Sequence, residues 1–370
     1  MRPWTNATPP AASEDPGARP PGTPSSWPGA GAAPRSLPPE LPRPPTASLA
    51  GVLRPGEGLR HFTLGRPAAH PDLGLWVERY WTVRWDLPPG TSYLSSVLSH
   101  PAVHLSVESG AGPRHGYAMP GTLVHGVVTR RFDILLHGEG RVFGVKFRPG
   151  GFAAFLGADV AAYTDRAVPL ADALTTRAGP ADAADAADAD DGVADADAAR
   201  ERPGENAGDF AGRPAALAKD AHDLQAAILA ATEDEERVAL MDEFLLARRP
   251  APDPRYEQVL AIAADMLADR ALTAVQAVAE RHDIELRTLQ RLFRHYVGVG
   301  PKWVLRRFRL HDAQAALDAA AAAGDPAGIN LAELAASLGW FDQAHFNRDF
   351  REAVGVPPGV YAASAVTAGR

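Results

Sequence analysis

The chain has 370 residues, a net charge of −8, 46% hydrophobic residues and no cysteine; that length leaves room for two domains with sizeable cores plus connections. The missing thiols exclude thiolate catalysis, disulfides, Cys-ligated zinc and iron–sulfur clusters, and they fit a reducing cytoplasm. No apolar run approaches a membrane span and Met1 to Leu49 holds no apolar core for a signal peptide, so neither a membrane partner nor export is expected.

Residues 1–55 are rich in Pro, Ala, Gly and Ser and read as a disordered arm, with too little apolar content to offset chain entropy. Residues 56–177 read as a β-rich domain. Leu75 to Trp85 is aromatic and β-branched, Val103 to Val107 and Arg131 to Leu136 alternate, and Arg141 to Phe147 is the last clear strand. Glycines between them mark turns, and Gly151 to Leu156 begins a short helix. Short strands at this spacing suggest an antiparallel sandwich or small barrel. At β spacing Trp81, Val83 and Trp85 share one face and Trp76 and Tyr80 the other, so the first set lines a pocket only if the second packs elsewhere. His100, His104, His115, His125 and His137 raise the question of a metal, but a tight His-x-His pair with a carboxylate is missing, and no metal or cofactor is expected. Arg148 beside Pro149-Gly150-Gly151 is free to hold an anion or to pair with Asp159 or Asp165.

Residues 178–213 are an Ala/Asp-rich stretch that carries much of the chain's negative charge and reads as a disordered insertion. Residues 214–248 return to helical spacing through Leu224, Ile228, Leu229, Val238, Met241 and Leu245, a pattern open to dimerisation. Residues 249–254, Arg-Pro-Ala-Pro-Asp-Pro, read as a stiff linker.

Residues 255–363 read as all helix, followed by a tail over 364–370. The helices run from Tyr256 to Leu267, from a Thr273 cap to Arg281, from Leu286 to Tyr296, from Lys302 to Ala323, from Leu331 to Leu338 and from Gln343 to Val354. Pro301 suits the first turn of the long helix, Gly339 a left-handed helix end and Asp342 an N-cap. This region repeats itself. Gln290-Arg291-Leu292-Phe293-Arg294 and Val297-Gly298-Val299-Gly300-Pro301 recur 57 residues on as Asn347-Arg348-Asp349-Phe350-Arg351 and Val354-Gly355-Val356-Pro357-Pro358. Two helical units in one small domain fit that period. With Leu289, Leu292 and Phe293 inward, Arg287, Thr288, Gln290, Arg291 and Arg294 face outward; with Phe346 and Phe350 inward, Gln343, Ala344, Asn347, Arg348 and Arg351 do. Arg grips guanine, and Gln or Asn adenine, through paired hydrogen bonds. One such unit is as well explained by a merely solvated face. Two matched units joined by a rigid helix of roughly 30 Å favour duplex DNA, whose major grooves recur every ~34 Å on one side.

The segment from about Tyr256 to Ala363 closely resembles the AraC-type transcription regulators, above all in Gly339-Trp340-Phe341-Asp342-Gln343-Ala344-His345-Phe346-Asn347-Arg348-Asp349-Phe350-Arg351 and Pro357-Pro358-Gly359-Val360-Tyr361. The resemblance implies two helix-turn-helix units bridged by a long helix. It places Arg287, Gln290, Arg291, Gln343, Ala344, Asn347 and Arg348 toward bases and phosphates. Arg294, Arg306 and Arg307 are expected to position the DNA backbone. Asp283 stands where a turn glycine is usual, and Glu285 replaces the usual Ser/Thr cap. Trp76-x-x-x-Tyr80-Trp81 and Phe143 to Gly151 resemble a sensor-like domain found on some members, implying a cupin-like barrel. The expectation is therefore an α+β two-domain, non-enzymatic regulator that binds double-stranded DNA in the cytoplasm. Its effector is unspecified, RNA polymerase is a partner if it activates, and a homodimer stays open. The rival is a ligand-binding or scaffold protein whose helices meet protein partners. AraC-like helices also occur on DNA-alkylation repair proteins, whose cysteine chemistry is unavailable here.

Overall fold

The computed structural model describes residues 49–175, 213–325 and 328–367; residues 1–48 of the expected arm and residues 178–212 of the expected insertion lie outside these. The end of the expected arm is ordered. Leu53 is buried, its N–H donates to the Ser96 carbonyl (3.0 Å), and helix α1 (Pro55–Gly58) follows. Two apolar residues, Val52 and Leu53, suffice to seat this stretch, a signal swamped by the prolines before it.

The β-rich part holds β1 (Thr63–Gly65), β2 (Val77–Asp86), β3 (Ser92–Leu98), β4 (His104–Gly110), β5 (Gly121–His125), β6 (Arg131–His137), β7 (Glu139–Phe147) and β8 (Ala167–Pro169). One sheet runs β1-β2-β7-β4-β5-β8, and β3 with β6 forms a separate two-stranded ribbon. Every pairing is antiparallel, and the two sheets enclose a cavity. Alternation along β2 sends Trp81, Val83 and Trp85 into that cavity. Tyr80 points the other way, packs against Phe143 with ring centroids 5.5 Å apart and donates its hydroxyl to Asp242 (2.6 Å). Room for the indoles comes from β7. Register sets Trp81 opposite Gly144 and Trp85 opposite Gly140, and a methyl on either glycine would fall inside the facing ring.

Helices α2 (Gly151–Leu156) and α3 (Leu170–Thr175) flank the sheet, and α4 (Arg213–Ala230) and α5 (Asp234–Leu246) cover its outer face. Leu224, Ile228, Met241 and Leu245 are buried in the same core as Tyr80, Val107 and Phe143. The apolar stripe that left a dimer open is thereby used within the chain.

The remaining helices are α6 (Pro254–Ala268), α7 (Val275–Arg281), α8 (Leu286–Val297), α9 (Pro301–Ala322), α10 (Leu331–Ser337), α11 (Gln343–Val354) and α12 (Pro358–Thr367). The expected linker ends as a helix start: the Asp253 carboxylate accepts from Arg255 N–H (3.0 Å) and Tyr256 N–H (3.2 Å), and Pro254 opens α6. Thr273 does not cap α7, whose N-cap is Ala274 with no side-chain bond. Pro358 opens α12 as Pro301 opens α9, so the repeat continues into a helix that the sequence reading did not assign. Tyr361 of α12 donates to Asp318 of α9 (2.9 Å), closing the second unit.

Two cores divide these helices. The first unit shares one with the β-rich part, through Phe147, Phe152, Tyr256, Val259, Phe293 and Phe308. The second unit is built on another, of Leu310, Leu317, Trp340, Phe346, Phe350 and Tyr361, which Leu53 and Leu98 of the β-rich part join. Polar contacts sew the seam: Tyr256 hydroxyl to the Leu75 carbonyl (2.6 Å), Thr164 hydroxyl to the Gly298 carbonyl (2.7 Å) and Val160 N–H to the His295 carbonyl (3.0 Å).

Candidate nucleic-acid interface

Each unit is a pair of short helices closed by the same turn. In the first, Ile284 N–H donates to the Ala279 carbonyl (3.0 Å) and Asp283 N–H to the Glu280 carbonyl (3.3 Å); in the second, Trp340 N–H donates to Ala335 (2.9 Å) and Gly339 N–H to Ala336 (3.1 Å). Both are Schellman ends, which require a left-handed residue. That residue is Asp283 (φ 45°) in the first unit and Gly339 (φ 78°) in the second. Ala279 and Ala335 are buried. The second turn has one residue more before its N-cap, so its Phe341 stands 93% exposed beside the start of α11. Asp342 caps α11 by accepting from His345 N–H (2.6 Å), and Asn330 caps α10 by accepting from Ala332 N–H (3.0 Å). Neither α7 nor α8 has a side-chain cap.

The outward faces fall largely where the sequence places them. On α8, Arg287, Gln290, Arg291 and Arg294 are exposed and Thr288 is half-buried; on α11, Gln343, Ala344, Arg348 and Arg351 are exposed and Asn347 is half-buried. Leu289, Phe293, Phe346 and Phe350 beneath them are each 0% exposed. Arg294 and Arg351 occupy the last turns, where a cation opposes the helix dipole.

Two residues expected at the DNA backbone have partners within the protein. Arg307 is 2% exposed, lies 4.4 Å above the Trp303 ring and donates to the Thr129 carbonyl (2.6 Å). Arg306 is half-buried and pairs with Asp349 (3.2 Å) and Glu352. Arg307 is thus buried against the β-rich part, while Arg306 is paired with two acids of α11.

Asp349, 7% exposed, organises the second unit. It accepts from the buried Trp340 Nε1 (2.9 Å), and it faces Arg306 of α9 and His345 Nε2 (3.4 Å). Arg309 of α9 donates to the Gly339 carbonyl (2.9 Å) and lies 4.8 Å above the Trp340 ring. The long helix thus fixes both the turn and the outward helix of the second unit.

The second candidate site is the cavity between the sheets, about 220 Å³, with Trp81, Trp85, Phe132 and Ile134 among its walls. Glu108, His115 and His125 converge there, with ligand atoms all within 4.8 Å of one another. The carboxylate thought missing from a histidine set is therefore present, supplied by the strand that carries His104. His125 Nε2 lies 3.2 Å and His115 Nε2 3.6 Å from Glu108, Ser106 donates to it at 2.7 Å and Arg114 approaches at 3.4 Å. Burial alone raises the Glu108 pKa, but these histidine hydrogen bonds outweigh it and leave the carboxyl well below its usual range. His100 stands apart, stacked on His311 of α9 at 3.9 Å. Arg148 donates to the Gly74 carbonyl (2.7 Å), while Asp165 accepts from Thr129.

Residues 66–169 match the model of a domain of unknown function (DUF6597), and residues 278–364 match that of a helix-turn-helix domain. No curated protein matches. Among solved structures, ToxT from Vibrio cholerae is similar at 8% identity, with 82% of this chain and 98% of that chain covered and a TM-score of 0.35. A second ToxT structure from the same organism is similar at 11% identity, with 83% and 99% covered and a TM-score of 0.31.

Proposed function

We propose, from the AraC-type helix-turn-helix domain that occupies the C-terminal part of this chain, that the protein is a sequence-specific regulator of transcription that binds double-stranded DNA. Helices α8 and α11 enter successive major grooves. Arg287, Gln290, Arg291, Gln343, Asn347 and Arg348 address bases, and Arg294 and Arg351 address phosphates. The observation that carries this reading is the duplicated turn geometry, with an outward polar face on each following helix and a 22-residue helix between the units. That helix is about 33 Å long at ~1.5 Å per residue, close to the ~34 Å groove repeat. The cavity of the β-rich part serves an effector, whose presence is felt through the contacts of α9 with that part. Replacing Arg348 by Ala should cost about 1–3 kcal/mol at the preferred site and relax preference at one base pair. An equal loss on all sequences would demote Arg348 to a phosphate contact.

A further inference from the structure

The cavity carries more positive than negative charge. Arg66, Arg79, Lys146 and Arg114 line it. Against them stand Glu78, shared between Lys146 (2.8 Å) and Arg79 (3.1 Å), and Glu108, taken by Arg114 and two histidines. Lys146 is 5% and Arg79 7% exposed, so water screens neither well. Donors are in surplus too. Arg66 Nε, Arg79 NH1 and Trp81 Nε1 are buried and have no hydrogen-bond partner among the described residues, although all three side chains line the cavity. A buried guanidinium with an unmet donor is costly unless an acceptor reaches it.

The Glu108, His115 and His125 cluster invites a divalent cation, since its donor spacing resembles that of a metal's ligands. Charge decides against it: a metal would add two positive charges to a chamber already in cationic excess, with Arg114 on the ligating carboxylate. The same excess favours an anion. Size and lining describe the rest. The volume is about 220 Å³, and a cavity of about 150 Å³ admits benzene.

We infer that the cavity binds a small organic anion, with an oxyanion headgroup held by Lys146 and Arg79 and an apolar body about the size of one ring held against Trp81, Trp85 and Phe132. This deepens the effector reading above, on which only its regulatory meaning rests.

Calorimetry on the full chain without DNA tests it, using benzoate, phenylacetate and cyclohexanecarboxylate, with benzamide as the uncharged match and inorganic phosphate as the bare oxyanion. The expected result is one-to-one binding of at least one carboxylate, with benzamide and phosphate each at least tenfold weaker. Lys146→Met should weaken the carboxylate tenfold or more and leave benzamide unchanged. Should that variant fail to fold, the wild-type comparison of benzoate with benzamide decides alone. Equal binding of benzamide, equal binding of phosphate or no binding by any carboxylate at millimolar concentration overturns the assignment. So does stoichiometric Zn²⁺ binding that Glu108→Gln abolishes. Carboxylate binding that leaves DNA affinity unchanged keeps the anion site and removes the effector reading.

Discussion

At the scale of single residues, Asp349 and Gly339 do the most to hold the second unit in shape. Asp349 is a buried carboxylate with a tryptophan donor and an arginine partner. Removing it strands the Trp340 donor and leaves Arg306 only Glu352, at about 2–4 kcal/mol. Asp349→Ala should lose that much in urea unfolding, whereas Asp349→Asn, which keeps an oxygen for Trp340, should lose distinctly less. Gly339 needs its left-handed φ, and an added Cβ would also press on the Thr273 methyl. Gly339→Ala should therefore cost about 1–2 kcal/mol, while Asp283→Gly in the matching turn should be neutral or stabilise by up to ~1 kcal/mol. Thermal unfolding of the two variants checks this asymmetry. Local chemistry made some of these roles legible in the sequence: a glycine after a helix and an aspartate before one carry their signals in themselves. The partners of Asp349 and Arg307 were not legible, because each is supplied by an element far along the chain.

At the scale of elements, helix α9 is seated on the β-rich part through neutral histidines. His311 Nε2 lies 3.2 Å from the Ser99 carbonyl and its ring stacks on His100. Burial foremost, with Arg307 nearby, pushes the His311 pKa down to about 3, and burial likewise holds His100 well below 6.5. The unfolded chain therefore binds more protons than the folded one below the ordinary histidine value of 6.5. Stability is full above that pH and is lost as pH falls toward 3. Urea midpoints measured between pH 7 and pH 4 should fall, and His311→Gln should flatten the slope. Strands β2 and β7 were legible because aromatic and β-branched residues fill them. Strand β3 was not: its Leu94 pairs with Leu135 on the ribbon's outer face, each 53% exposed, which breaks the inside–outside alternation. The Glu108 cluster was equally hidden, since it depends on a register that sets His104 opposite His125.

At the scale of the molecule, the first helix-turn-helix unit belongs energetically to the β-rich part, because a single core runs through both. The second unit is built on a separate core that also takes in Leu53 and Leu98 of the β-rich part, and polar contacts join it there, Arg131 to the Val354 carbonyl (3.0 Å) and Arg54 N–H to the Tyr361 hydroxyl (3.2 Å). Amide hydrogen exchange should therefore show α8 opening together with β2 and β7, and α11 opening separately at lower free energy. Such a division would leave one reader fixed and the other adjustable. The net charge of −8 gives no hint of a DNA partner, since the sign of a whole chain says little about one helix face. Selection of bound sequences from a random DNA pool, followed by footprinting of the preferred site, tests whether both helices read duplex DNA. Two protected segments are expected on one side of the duplex, about 10 base pairs apart. Protection of a single groove, or binding without sequence preference, would contradict that.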